Sequence, residues 1–219
     1  MKNKKFKRGF NRPPTFYKII ILSILMCSSS IRAEQNKYDP TVLEDFFEVE
    51  KIYQRMRTDF NETAQCTHMA HVWAYEEFEN SRLKSKKIFL FFSGSYIKKY
   101  KYPWWFHVSP MVYMKEGDKN IKIVLDRAYT GMPMEIKNWT DHFVKSGRAC
   151  KKIGEFSKYL EIKYKTKEDC FLMEESMYYW LPKDIRVREV NGIIKNNFIK
   201  RELNYSYQKA FKGMALEVN

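Results

Sequence analysis

Cys66, His107 and Asp126 have the residue types and the order of a nucleophile, a base and an orienting acid. The stretch from Cys66 to about Asn80 reads as a helix, with Cys66, Ala70 and Trp73 falling at i, i+4 and i+7 on one inward stripe. A thiol at a helix N-terminus meets unsatisfied N–H groups and the positive end of the dipole, which favours the thiolate. His107 lies in a strand-like run, Trp104–Met114, and Asp126 closes a second one, Ile121–Asp126. A hairpin centred between Glu116 and Gly117 sets His107 directly opposite Asp126, where Cβ atoms stand about 4.5–5.5 Å apart. A slip of one residue in the turn makes the pair diagonal and still close. The plain alternative for Cys66 is a buried thiol without chemistry.

These residues sit in three blocks that resemble those of the bacterial protein-glutaminases: Cys66-Thr67-His68-Met69-Ala70-His71, Trp104-Trp105-Phe106-His107-Val108 and Ile123-Val124-Leu125-Asp126. Trp139, after the acid, fits as well. The resemblance covers roughly residues 60–145. It implies a papain/transglutaminase-like core, with Cys66 similar to the family's nucleophile, His107 to its general base and Asp126 to the carboxylate that orients the imidazole. It also implies hydrolysis of the side-chain amide of Gln in a protein or peptide, through a Cys thioester, with ammonia released. No cofactor is expected. The Cys66 amide is the first candidate for an oxyanion donor, and Gln65 is considered for the second. The chain departs from the family in two ways. Arg127 stands where Pro usually follows the acid, and residues 34–60 are too short and too regularly helical for the family's long pro-region. Two other classes remain open: a cysteine peptidase or transglutaminase-like acyltransferase using the same triad, and a non-catalytic exported binding protein with a structural Cys66.

Other constellations are weaker. His68 and His71 lie about 200° and 140° around the helix from Cys66, so the three do not converge on a metal, and none is expected. His142 is expected to face solvent. The aromatic-basic stretch Lys98–Phe106 suits core packing or a substrate groove better than stacked bases, and no nucleic-acid partner is expected. The basic residues Lys195, Lys200, Arg201, Lys209 and Lys212 read as a solvated helix face.

The elements that must position the three residues read as α+β: a small antiparallel sheet flanked by helices, with the cysteine at a helix N-terminus. A first helix is expected from Asp39-Pro40-Thr41 to about Arg57, and a strand over Lys87–Phe92 ended by Ser93-Gly94-Ser95. Pro133 to Lys145 reads as a helix, Tyr159–Tyr164 and Phe171–Leu181 as strands, and about Asp184 to Phe211 as a helix interrupted near Gly192.

The chain has 219 residues, 44% of them hydrophobic, enough to bury a core. Its charge of +14 would suggest an anionic partner, but residues 1–33 hold eight basic and no acidic side chains. They read as a signal peptide: a basic stretch, the apolar run Ile19 to Cys27, and a small-residue site after Ile31-Arg32-Ala33. The apolar run is about half the roughly 20 residues of a membrane-spanning helix. Removing 1–33 leaves 32 basic and 26 acidic residues, or +6. The expectation is a secreted or periplasmic bacterial protein cleaved near Ala33, with 34–219 as a single catalytic domain, monomeric and without a stable membrane anchor. In an oxidising compartment Cys150 and Cys170 can pair across about 20 residues, leaving Cys66 free.

Overall fold

A computed structural model of the chain describes residues 38–191 and 200–212. The signal-like segment 1–33 and the expected helix break at Gly192 lie outside those residues. The chain divides into Met1–Tyr38 and Asp39–Asn219, and the second unit is α+β.

Its sheet has seven strands: β1 (Val42–Leu43), β2 (Lys86–Phe92), β3 (Phe106–Glu116), β4 (Lys119–Val124), β5 (Met134–Glu135), β6 (Lys151–Lys152) and β7 (Cys170–Ser176). The order is β5-β4-β3-β2-β7-β6, and β1 pairs with β3 beyond the end of β2. The expected small antiparallel sheet is thus larger, and it is mixed: β1–β3 and β6–β7 are parallel. The reason β2 reads as an unbroken apolar run is that both faces are covered. Ile88, Leu90 and Phe92 pack with Trp139 and Phe143 on one face. Phe89 and Phe91 pack with Ala70, Phe156 and Tyr159 on the other.

The helices are α1 (Phe46–Arg55), α2 (Cys66–Ser81), α3 (Gly94–Tyr100), α4 (Ile136–Phe143), α5 (Phe156–Ile162), α6 (Pro182–Asn191) and α7 (Lys200–Ala210). Helix α2 begins at Cys66 as expected, but it carries no single inward stripe. Thr67 through Ala74 are all buried, because Ala70 faces the sheet while Met69, Val72 and Trp73 pack with α1 and α7.

Four expectations change. The first helix does not start at Asp39-Pro40-Thr41. Thr41 is held extended by two bonds to Lys84, backbone N–H to carbonyl at 3.0 Å and Lys84 N–H to Oγ1 at 3.0 Å. Asp45 caps α1 instead, accepting from the Glu48 N–H at 2.9 Å while Glu48 accepts from Glu44 N–H. Ser93-Gly94-Ser95 ends β2 but also opens α3, with Ser93 Oγ accepting from Tyr96 N–H. The expected strand at Tyr159–Tyr164 is α5, whose first N–H groups, on Phe156 and Ser157, donate to the Glu189 carboxylate of α6. That cap comes from 32 or 33 positions away and has no local signature. The expected strand Phe171–Leu181 is shorter, ending at Ser176.

Candidate active site

The β3–β4 hairpin decides how His107 meets Asp126. Its register pairs Met111 with Val124 and Glu116 with Lys119, so the turn is Gly117-Asp118, one residue later than expected. Gly117 takes φ +59°, the left-handed backbone that glycine adopts without strain and that a two-residue hairpin requires. Pairing continues one step past β4, where Leu125 N–H donates to the Pro110 carbonyl at 2.9 Å. Asp126 is therefore diagonal to His107. The two still bond: His107 Nε2 donates to Asp126 Oδ2 at 2.7 Å, both side chains almost wholly buried.

Asp126 also accepts on Oδ2 from Trp139 Nε1 at 2.7 Å, so α4 anchors the carboxylate that orients the ring. The loop after it is a tight turn: Tyr129 N–H and Thr130 N–H both donate to the Asp126 carbonyl. Tyr53 of α1 donates to the Thr130 carbonyl. Arg127, which replaces the resembled family's Pro, lies over the Tyr53 ring at 4.6 Å and donates to Gln54 Oε1 at 3.2 Å. The segment before residue 60 is thus part of the core that braces the acid.

The imidazole sits in an aromatic enclosure. Trp104 and Trp139 stack on it at 5.7 Å, Phe143 lies at 4.6 Å, and Tyr129 meets it edge-on at 4.8 Å. Burial alone would discharge the ring. The charge and hydrogen bond of Asp126, together with those of Cys66, outweigh it and raise the His107 pKa well above the usual imidazole value, to about 10. Cys66 therefore lies within electrostatic and hydrogen-bonding reach of the ring. The second ring nitrogen, Nδ1, makes no hydrogen bond of regular geometry to protein, which leaves it as the nitrogen available to a thiol.

Cys66 is a free, partly exposed thiol at the first position of α2. It opens into a cavity of about 310 Å³ lined by residues 64–67, 103–106 and Tyr129. No lining side chain is charged. The half-exposed stretch Pro103–Phe106 borders this cavity, and Trp104 also packs against the core. Gln65 precedes the helix, and its carbonyl accepts from His68 and Met69 N–H, but its side chain makes no capping bond.

His68 and His71 go elsewhere. His68 packs against Trp180 and Tyr205, and burial, helped by Lys209, lowers its pKa to about 4. His71 Nδ1 accepts from the buried Lys87 Nζ at 2.9 Å. His142 is exposed. Cys150 and Cys170 form a disulfide. The sequence reading missed Tyr129, Tyr53 and the capping Glu189. Tyr129, three residues after the acid, had only its proximity in sequence to signal it.

Residues 40–143, which hold Cys66, His107 and Asp126, match the family described as Glutaminase. Among solved structures the chain is similar to protein-glutaminase from Chryseobacterium proteolyticum, at 11% identity and TM-score 0.42, covering 64% of this chain and 76% of that one. A crystal structure of protein-glutaminase gives 11% identity and TM-score 0.44 over 65% and 77% of the two chains. A crystal structure of pro-protein-glutaminase gives 11% and 0.43 over 67% and 52%. No match is found among curated proteins.

Proposed function

We propose that the chain is an exported protein-glutamine deamidase using Cys66 as nucleophile, His107 as acid and base and Asp126 as the orienting carboxylate. The observation that carries this reading is the buried His107–Asp126 pair acting on Cys66, which stands at a helix N-terminus and lines an open cavity. Cys66 Sγ attacks the side-chain carbonyl carbon of Gln, and the protonated ring gives its proton to the departing nitrogen as the C–N bond breaks. Ammonia leaves a thioester. Water, deprotonated by His107, then adds to the thioester carbonyl, and the C–S bond breaks to give Glu and the free enzyme. The first N–H groups of α2 have no intrahelical acceptor and no side-chain cap, which suits them to a developing oxyanion.

The uncharged cavity lining supports a Gln side chain within a protein or peptide over free glutamine. A free amino acid would bring an ammonium and a carboxylate into a site without a charged partner. Export by residues 1–33, a single catalytic domain over 34–219 and a monomeric state complete the proposal. The Cys150–Cys170 disulfide suits an oxidising compartment, and among the described residues no helix is long and apolar enough to cross a membrane.

The test is to incubate residues 34–219 with a Gln-rich protein and follow ammonia, substrate mass and cross-links together. Ammonia with a gain of about 1 Da per site, abolished in Cys66→Ala, is expected. Fragments would indicate a peptidase, and cross-links an acyltransferase. Activity persisting in Cys66→Ala would refute the nucleophile.

A further inference from the structure

Deamidation generates an oxyanion twice, once in acylation and once in hydrolysis, and backbone N–H groups of α2 supply only one side of its shell. The cavity lining holds a further polar group. Tyr129 lines the cavity with Cys66 and is 38% exposed. Its backbone is fixed by the bond from its N–H to the Asp126 carbonyl at 3.1 Å. Its ring is wedged edge-on against His107 at 4.8 Å and Trp104 at 5.4 Å, with Phe143 at 5.9 Å. Among the described residues its hydroxyl has no hydrogen-bond partner in the protein, so the donor is unspent.

We infer that the Tyr129 hydroxyl is a catalytic donor that completes the oxyanion hole, hydrogen-bonding the substrate carbonyl oxygen as it takes charge. The inference rests on the thiol-amidase reading above. No bond to Tyr129 forms or breaks: its proton stays on the phenol and is shared with the oxyanion until the C–N or C–S bond breaks. Burial and the neighbouring charges of Cys66 and Asp126 raise the phenol's pKa to about 12, which keeps the proton in place. The influence of Cys66 on the phenol also puts the hydroxyl within electrostatic range of the sulfur that the reacting carbonyl must approach. Gln65 offers another polar group on the cavity, but its side chain is held by no comparable packing. An oxyanion donor is effective in proportion to its preorganisation, and three rings fix Tyr129.

Tyr129→Phe removes the hydroxyl and keeps the ring, so folding and the packing on His107 are retained. Two rates are measured on residues 34–219 of wild type, Tyr129→Phe and Gln65→Ala. One is deamidation of a protein substrate; the other is alkylation of Cys66 by iodoacetamide, a displacement that forms no oxyanion. The expected result is a kcat for Tyr129→Phe lowered on the order of 100-fold, the scale of losing one such donor. KM and the alkylation rate should stay within about 3-fold. An unchanged kcat overturns the proposal, and a matching fall in alkylation overturns it as well by assigning Tyr129 to the nucleophile. A large loss in Gln65→Ala with none in Tyr129→Phe gives the role to Gln65. If alkylated Cys66 still deamidates, the thiol reading itself fails, a result distinct from all of these.

Discussion

His107 is the residue on which the proposed chemistry turns, because two opposing forces act on one ring. Wrapped by Trp104, Trp139, Phe143 and Tyr129, the imidazole has lost its water, yet Asp126 and Cys66 keep its charged form favoured. Its pKa in the folded state, about 10, lies above the ordinary 6.5. The stability that this charge contributes is therefore full below about pH 6.5 and lost as pH rises through about 10. Asp126→Asn removes the largest favourable partner. The alkaline limb of the kcat profile is expected to move down by more than about 1 pH unit, with a lower plateau and a flatter loss of thermal stability at high pH. A pH–rate profile with parallel melts measures both; an alkaline limb that stays in place would show that Asp126 does not hold the proton.

Among the elements, α2 and the loop before it are held from the far end of the chain. Asn61 donates through Nδ2 to the carbonyls of Gln208 at 2.9 Å and Phe211 at 2.8 Å. Phe60 bridges Phe211, and Lys212 N–H donates to the Asp59 carbonyl. The C-terminal end of α7 thus clamps the segment that delivers Gln65 and Cys66. Asn61→Ala is expected to cost about 1 kcal/mol, two partly exposed bonds at their modest net value. It should lower kcat while leaving the His107–Asp126 pair in place. Thermal melts and ammonia release check it, and full activity in a destabilised variant would confine the clamp to stability. That α2 starts at Cys66 was readable from spacing; that α7 holds its entrance was not, since the partners lie about 150 positions apart.

At the scale of the molecule, the disulfide ties the segment before β6 to the start of β7, closing a loop that contains α5. Replacing Cys150 and Cys170 together by Ala is expected to cost about 3 kcal/mol by the loop-entropy relation for a span of this length. The variant's melting temperature should then be indifferent to reductant, whereas the wild type's should fall when reductant is added. Equal melting temperatures of the two oxidised proteins would show that the bridge contributes nothing. The charge also belongs to this scale: with residues 1–33 set aside, +14 falls to +6, which removes most of the apparent case for an anionic partner.

The meeting of His107 with Asp126, the start of α2, the buried run of β2, the hairpin and the pairing of Cys150 with Cys170 were legible because each rests on residue type, short-range periodicity or cysteine count. The sequence also contained both possible turn centres of the hairpin, and the pleat's period of two kept His107 and Asp126 on one face under either. Tertiary structure alone decided the rest. It turned Asp39–Thr41 into extended chain by bonding it to Lys84, and made a helix of the expected strand at Tyr159 by capping it with Glu189. It also brought Tyr53, Trp139 and Tyr129 around the acid. These contacts join residues that local patterns treat as independent, and their free energy exists only once the sheet has closed and excluded water from between them.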